Sequence, residues 1–254
     1  MLWYLLYRLI YIRKNIMKDL HTHILYDVDD GSNSLEESLE ILKRASLNGV
    51  TDVVLTPHYV KGSKYNANNK LKRKLFNELK KWVDISRINI NIYLGNEIYI
   101  TDDNLSFEEE VLSINNSRYV LIELPLNVKY NLIFEVIDKL KKKNLVPIIA
   151  HPERCVAYYE DYQFFYNLRK IGCLLQGNIG SIYGSYGKKS KKMIIYMLEN
   201  NMLDFLASDI HHIKNVIYSK DITGDVLRIV HDSKVVEKLL NTNLEKVLND
   251  MDII

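Results

Sequence analysis

Residues 18–24 read KDLHTHI and residues 51–58 read TDVVLTPH. Each is an apolar run of about one buried strand's length, and each carries imidazole at its end. His21 and His23 stand two residues apart, so on an extended chain they share a face. The same kind of run recurs five more times: INIYLGNEI (90–98), YVLIELP (119–125), VPIIAHP (146–152), CLLQGNI (173–179) and LDFLASD (203–209). Between the runs lie amphipathic stretches with helical spacing: SLEESLEILKRASLNG, NNKLKRKLFNELKKW, NLIFEVIDKLKKKN, DYQFFYNLRKIG and GKKSKKMIIYMLENN. Ser34 followed by Glu37 predicts a capping box, and Gly49 and Gly172 read as helix stops. Seven strand-then-helix units predict an α/β fold closed as a (β/α) barrel rather than an open sheet. The last 31 residues, from Gly224, read as one helix and a short terminal one.

The placement of charge along these runs carries the functional information. His21 and His23 end the first strand and His58 the second. Glu97 sits near the end of the third, Glu123 in the fourth, His151 closes the fifth, and Asp209 and His211 close the seventh. In a (β/α) barrel those ends share one mouth. Five of the seven histidines would therefore meet several carboxylates in one pocket. Such a group is costly to bury without cations, because desolvated carboxylates need partners. Mixed imidazole and carboxylate ligation suits Zn, Mn or Fe(II), and the donors exceed one ion's needs. His212 and His231 read as outside the cluster, and Asp19 as a supporting residue.

Composition excludes other classes. The chain has 254 residues, 47% hydrophobic and 26% charged, with a net charge of +2, which gives no basic surplus for nucleic acid. Neither Cys155 nor Cys173 has an arginine six residues on, as the cysteine-dependent phosphatases require; Asp161 and Ile179 stand there. Two cysteines do not make a disulfide framework, so a cytoplasmic setting is expected. No dinucleotide fingerprint, P-loop or flexible linker occurs, and a single domain over 17–254 is expected. Residues 1–16, MLWYLLYRLIYIRKNI, are apolar but short for a bilayer span and interrupted by Arg8. They read as a non-native or interfacial extension ahead of a start at Met17.

The ordered set HTHILYDVDDGSNSLEES, LTPHY, GNEIYIT, NNSRYVLIELP, PIIAHPER and ASDIHH resembles the PHP (polymerase and histidinol phosphatase) superfamily. Within it, the set is similar to the manganese-dependent tyrosine-protein phosphatases of bacterial capsule and exopolysaccharide operons. The resemblance runs from Met17 to about Asn243. It implies a distorted (β/α)7 barrel holding three Mn2+ ions. The first ion would use His21, His23, Glu97 and Asp209. The second would share Glu97 and add Glu123 and His151. The third would use Asp30, His58 and His211, with Asp30 rather than Asp29 chosen from the VDDG match. Arg154 corresponds to a phosphate-contacting arginine, and Arg154, Asp209 and His211 form the catalytic set.

The reaction so implied is hydrolysis of phosphotyrosine by a metal-bridging hydroxide. The implied substrate is the tyrosine-rich tail of a membrane-associated kinase, which would recruit the enzyme to the membrane. Two departures stand out. His212 replaces the family's asparagine after the D-x-H, and the arginine expected a few residues later is missing, with Lys214 as a possible stand-in. A point charge is not a planar fork. The other readings are a small-molecule phosphomonoesterase of the histidinol-phosphate type, a nuclease, and a metal-binding pseudo-phosphatase.

Overall fold

The computed structural model describes residues 17–101, 111–125, 130–159 and 161–253. The extension expected over 1–16 lies outside the described residues. Strand β1 (Met17–Thr22) pairs in parallel with β2 (Val50–Leu55), and β2 with β4 (Asn91–Leu94). A second parallel ladder runs β3 (His58–Tyr59), β5 (Glu97–Tyr99), β6 (Tyr119–Glu123), β7 (Val146–Ala150), β8 (Leu174–Asn178) and β9 (Phe205–Ala207). The two ladders are one wall with a fault in it. The runs expected as single strands break at Thr56-Pro57 and at Gly95-Asn96. Proline has no N–H to give a ladder. Backbone bonds still cross the fault, from Gly95 N to the Leu55 carbonyl at 2.9 Å and from Glu97 N to the Pro57 carbonyl at 3.2 Å.

The ring closes where β9 meets β1. Ile210 bridges Thr22 in parallel, Asp209 N donates to the His21 carbonyl at 2.9 Å, and His23 N donates to the Ile210 carbonyl at 2.8 Å. The product is a distorted (β/α)7 barrel. Its interior is filled by Leu20, Val54, Tyr119, Leu121, Ile148, Ala150, Phe205 and Ala207, packed with Leu244 and Val247 of the last helix. Alternation along β6 puts Val120 and Ile122 in the other cluster, against the helices. Glu123 therefore continues the inward row of Tyr119 and Leu121.

The helices follow their apolar spacing. Helix α1 (Leu35–Leu47) buries Ser38, Ile41, Leu42 and Ala45, the i, i+3, i+4, i+7 stripe. Ser34 caps it by accepting from Glu37 N at 3.2 Å. The reciprocal half of the box is shifted by one residue, because the Glu37 carboxylate accepts from Asn33 N. Gly49 and Gly172, both with φ of 91°, follow their helices as expected. Helices α2 (Asn69–Ile85), α3 (Tyr130–Lys142), α4 (Tyr162–Lys170), α5 (Ile179–Ile182) and α6 (Gly187–Glu199) complete the body.

The C-terminal region differs from expectation. Helix α7 (Ile222–Val230) begins earlier, with Asp221 accepting from Gly224 N, and stops at His231, whose φ is 55°. Asp232 then caps α8 (Ser233–Glu237), which runs through a π-helical stretch, Lys238–Thr242, into α9 (Asn243–Leu248). Two Asp caps and one left-handed residue divide what periodicity alone reads as one helix. Among the described residues no helix is long and apolar enough to cross a membrane.

Beneath the closing seam sits Asp19, fully buried. Its carboxylate accepts from Ser208 N at 3.1 Å and from the Tyr218 hydroxyl at 2.8 Å, so it ties β1 to the segment after β9. Burial raises its pKa, while Ser208, Tyr218 and His21 pull the other way. Tyr218→Phe removes one donor from this buried carboxylate. The expected loss is about 1–3 kcal/mol, read as a lower urea midpoint at unchanged slope. An unchanged midpoint would show that the seam does not depend on this bond.

Candidate metal centre

Each predicted side chain reaches the barrel mouth from a strand end, and several do so through backbone that only a built turn supplies. His151 follows β7 with φ 31°, and Asp209 follows β9 with φ 53°, both left-handed. Such conformations cost non-glycine residues of order 1–3 kcal/mol and mark positions held by their surroundings. The loop carrying Asp29 and Asp30 folds back on β1, where Ser32 N donates to the His23 carbonyl at 3.0 Å. Gly31 is required there, since a Cβ would lie 2.0 Å from that carbonyl oxygen.

Four atoms converge at the centre. His21 Nε2 and His23 Nε2 are 3.1 Å apart. Glu97 Oε2 is 3.3 Å from the first and 3.2 Å from the second, and Asp209 Oδ1 is 3.4 Å from both. The other ring nitrogens are committed. His21 Nδ1 donates to Gln176 Oε1 at 2.8 Å, and His23 Nδ1 to Asp29 Oδ2 at 2.7 Å. In the neutral rings both Nε2 atoms therefore present lone pairs to each other and to two carboxylate oxygens. Only a positive charge makes that arrangement favourable. Glu97 Oε2 and His58 Nδ1 are also buried without a hydrogen bond. The donor set fits divalent cations, by the chemistry of its atoms and by these orphaned ones.

Two further groups adjoin the first. His151 Nε2 lies 3.0 Å from Glu97 Oε1 and 3.9 Å from Glu123 Oε1. Asp30 Oδ1 lies 3.5 Å from His58 Nε2 and 3.7 Å from His211 Nε2. His58 also turns Nδ1 toward Glu97 Oε2, at 2.9 Å, so it borders both carboxylate groups. All ten residues singled out in the sequence, Arg154 included, thus meet in one place. Asp29 and Asp30 divide the labour: Asp29 is buried and accepts from His23, Gly31 N and His58 N, while Asp30 is half exposed and faces the imidazoles. Burial alone would raise the Asp29 pKa, but the His23 ring and the backbone donors hold it down to about 2.

The electrostatics show how strongly the cluster wants cations. Burial pushes the His21 pKa down, yet Glu97 and Asp209 raise it to about 9. Burial and the Glu97 charge push Glu123 up to about 8, and burial with His23 lowers His211 to about 4.

Several supporting residues gave no sequence signal. Gln176 orients His21, and Asn178 Nδ2 donates to Asp209 Oδ2 at 2.7 Å. Glu153 Oε1 accepts from Asn178 N and the Ser181 hydroxyl, which staples the turn after β7 to β8. Lys72, in a stretch that reads as helix surface, is fully buried. Its ammonium donates to the His58 carbonyl at 2.9 Å and to Asn96 Oδ1 at 2.8 Å, bracing both sides of the wall's fault. The positions outside the cluster fall where expected: His212 Nδ1 lies 3.4 Å from Glu37 Oε1, and His231 ends α7. Lys214 is exposed on the turn Ile213–Asn215.

Beside the imidazoles opens a cavity of about 440 Å3 lined by Asp30, Arg154, Tyr186, Asp209, His211 and Ile217 among others. Arg154 Nη1 donates to Asp209 Oδ2 at 2.9 Å, and among the described residues no other hydrogen bond engages its N–H groups. A cationic fork next to a polycarboxylate-imidazole cluster is a site for an anion with several oxygens.

The capsular polysaccharide synthesis family CpsB/CapC matches residues 17–249. The CapC protein of Staphylococcus aureus is 40% identical over 201 residues, 78% of each chain. The tyrosine-protein phosphatase CpsB of Streptococcus pneumoniae is 30% identical over 241 residues, 92% of this chain and 99% of its own. A solved structure from work on YwqE of Bacillus subtilis and CpsB of Streptococcus pneumoniae, described as metal-dependent tyrosine phosphatases, superposes with a TM-score of 0.83 at 28% identity. That match covers 94% of this chain and 96% of the other.

Two outcomes follow. Metal uptake at pH 7 displaces the proton that His21 holds below about 9, so binding releases protons. Calorimetry in buffers of different ionisation enthalpy measures this; buffer-independent heat would contradict it. Lys72→Met strands the His58 carbonyl and Asn96 Oδ1, and the expected loss is roughly 2 kcal/mol of stability with weaker metal retention. Unchanged metal content after dialysis would show that the brace does not position His58.

Proposed function

Because the chain belongs to the capsular polysaccharide synthesis CpsB/CapC family, we propose that it is a metal-dependent phosphatase that hydrolyses phosphotyrosine on protein. The observation that carries the reading is the facing pair of imidazole Nε2 atoms with two carboxylate oxygens, set beside Arg154 and an open cavity. His21, His23, Glu97 and Asp209 would hold one ion. Glu97, Glu123 and His151 would hold a second, and Asp30, His58 and His211 a third. When bound, such ions supply a water-derived nucleophile near neutral pH and draw off phosphoryl charge. Manganese suits these hard and borderline donors, and three ions would use all of them.

The chain's own residues do the rest. Asp29 and Gln176 fix the two imidazoles in the tautomer that leaves Nε2 open. Asn178 and Arg154 hold Asp209 so that Oδ1 faces the imidazoles. The remaining N–H groups of Arg154 would donate to phosphoryl oxygens. The departing phenolate, with a pKa of about 10, leaves more readily than an alkoxide, so a strong general acid is not needed. That favours aryl phosphates over alkyl ones. The substrate we propose is the tyrosine-rich tail of a capsule-type tyrosine kinase, which would bring a cytoplasmic enzyme to the membrane. Lys214 is exposed on the turn Ile213–Asn215, so in this reading phosphate handling rests on Arg154.

The test is metal-stripped protein with Mn2+ restored, assayed on p-nitrophenyl phosphate, a phosphotyrosine peptide and histidinol phosphate. Turnover of the first two and little of the third is expected. No Mn2+-dependent turnover of either would refute the reading, and preference for histidinol phosphate would favour the small-molecule alternative. His151→Ala is expected to lose activity by at least about a hundredfold without unfolding. Arg154→Ala is expected mainly to raise KM.

A further inference from the structure

The proposed phosphate contact raises a problem of aim. Arg154 is tethered to Asp209 by a single N–H bond, Nη1 to Oδ2 at 2.9 Å. About one bond a guanidinium can pivot, and the favoured end of that pivot is the two-bonded fork with a carboxylate. A fork on Asp209 would withdraw from the cavity the N–H groups that a phosphate needs. Something must hold the plane in its present pose.

Tyr186 stands in the right place. The Arg154 guanidinium carbon lies 4.4 Å from the centre of its ring. The ring belongs to the residue just before α6 and lines the same cavity as Arg154, Asp209 and His211. Its hydroxyl lies 3.4 Å from Asp209 Oδ2, a long contact beside the shorter ones from Asn178 and Arg154. The side chain is 36% exposed, so the ring is not needed to fill the core. Its position is explained by what it touches. The guanidinium lies over the aromatic ring, a cation–π contact worth more where water is partly excluded, and Arg154 is partly buried.

We propose that Tyr186 is a positioning residue, whose ring holds Arg154 with its free N–H groups turned into the cavity toward a phosphoryl group. This deepens the phosphatase reading and rests on it. The ring acts through Arg154, so its effect should fall on the phosphate and not on the leaving group. The hydroxyl is dispensable.

The Mn2+-loaded protein is compared with Tyr186→Leu and Tyr186→Phe. Tyr186→Leu is expected to raise both the KM for p-nitrophenyl phosphate and the Ki of inorganic phosphate about fivefold, the factor that about 1 kcal/mol of cation–π attraction represents. The kcat should stay within about twofold by the same argument, since uniform binding is lost rather than transition-state binding. Tyr186→Phe, which keeps the ring, should restore both constants. Three results would overturn the proposal: an unchanged phosphate Ki in Tyr186→Leu, equal loss in Tyr186→Phe, or loss of bound metal, which would place the effect on Asp209. A raised KM with unchanged Ki would mean that the ring meets the aryl group, and also overturns it. If the unaltered protein turns over no aryl phosphate, the phosphatase reading fails, and phosphate affinity by calorimetry decides this proposal separately. Weaker binding by Tyr186→Leu alone supports the clamp. Equal binding by all three, or none by the unaltered protein, refutes it.

Discussion

The structure depends on one electrostatic demand: two imidazole lone pairs 3.1 Å apart, with a carboxylate oxygen about as close on each side. In a protein interior such a cluster is unfavourable without positive charge, because burial removes the water that would otherwise screen it. The surroundings do not relieve the crowding. They enforce it. Asp29 and Gln176 occupy the outward nitrogens of the two rings, and Asn178 and Arg154 occupy the outer oxygen of Asp209. Each outer partner removes an alternative that the inner atom could have used to escape.

The barrel is built to sustain this. Its closing seam lies directly at the cluster, since the bonds joining β9 to β1 run through the backbone of His21, His23, Asp209 and Ile210. Below them Asp19 is locked by Ser208 and Tyr218. In the two strand runs next to β1 the wall breaks at Thr56-Pro57 and Gly95-Asn96, which frees His58 and Glu97 to bend inward, and buried Lys72 holds both edges of the break. The closing seam and the braced fault beside it set the spacing of side chains that come from different strands. Fold and site therefore share their hydrogen bonds, and left-handed backbone at His151 and Asp209 is tolerated because those bonds surround it.

Charge is handled in layers outward from the cluster. Buried carboxylates and imidazoles form the innermost layer, Arg154 lies at its edge, and the Tyr186 ring covers the guanidinium. The segment after His211 carries exposed lysines, Lys214 and Lys220. On the proposed function, phosphate recognition falls to Arg154, and the residues that aim it gain importance accordingly.

The sequence by itself determined the alternation of strands and helices, the single ring they form, and the convergence of five histidines and three carboxylates at one mouth. Those are consequences of local periodicity and of the rule that barrel strand ends meet, so they can be read one residue at a time. It did not reveal the split strands, because Pro57 and Gly95 sit inside apolar runs whose hydrophobicity continues across them. It did not reveal the broken C-terminal helix, since the apolar stripe persists past His231 while the backbone does not. Asp29 and Asp30 look alike in VDDG; only the turn, with Gly31 pressed against the His23 carbonyl, sends one inward to an imidazole Nδ1 and leaves the other facing the rings. Lys72, Gln176, Asn178 and Tyr186 were illegible for a common reason. Their roles lie in partners far away along the chain, and a lysine in a basic helix or a tyrosine among eighteen has no local mark of what it will touch. Tertiary structure decided these, because orientation and burial are properties of the neighbours a residue meets and not of the residue.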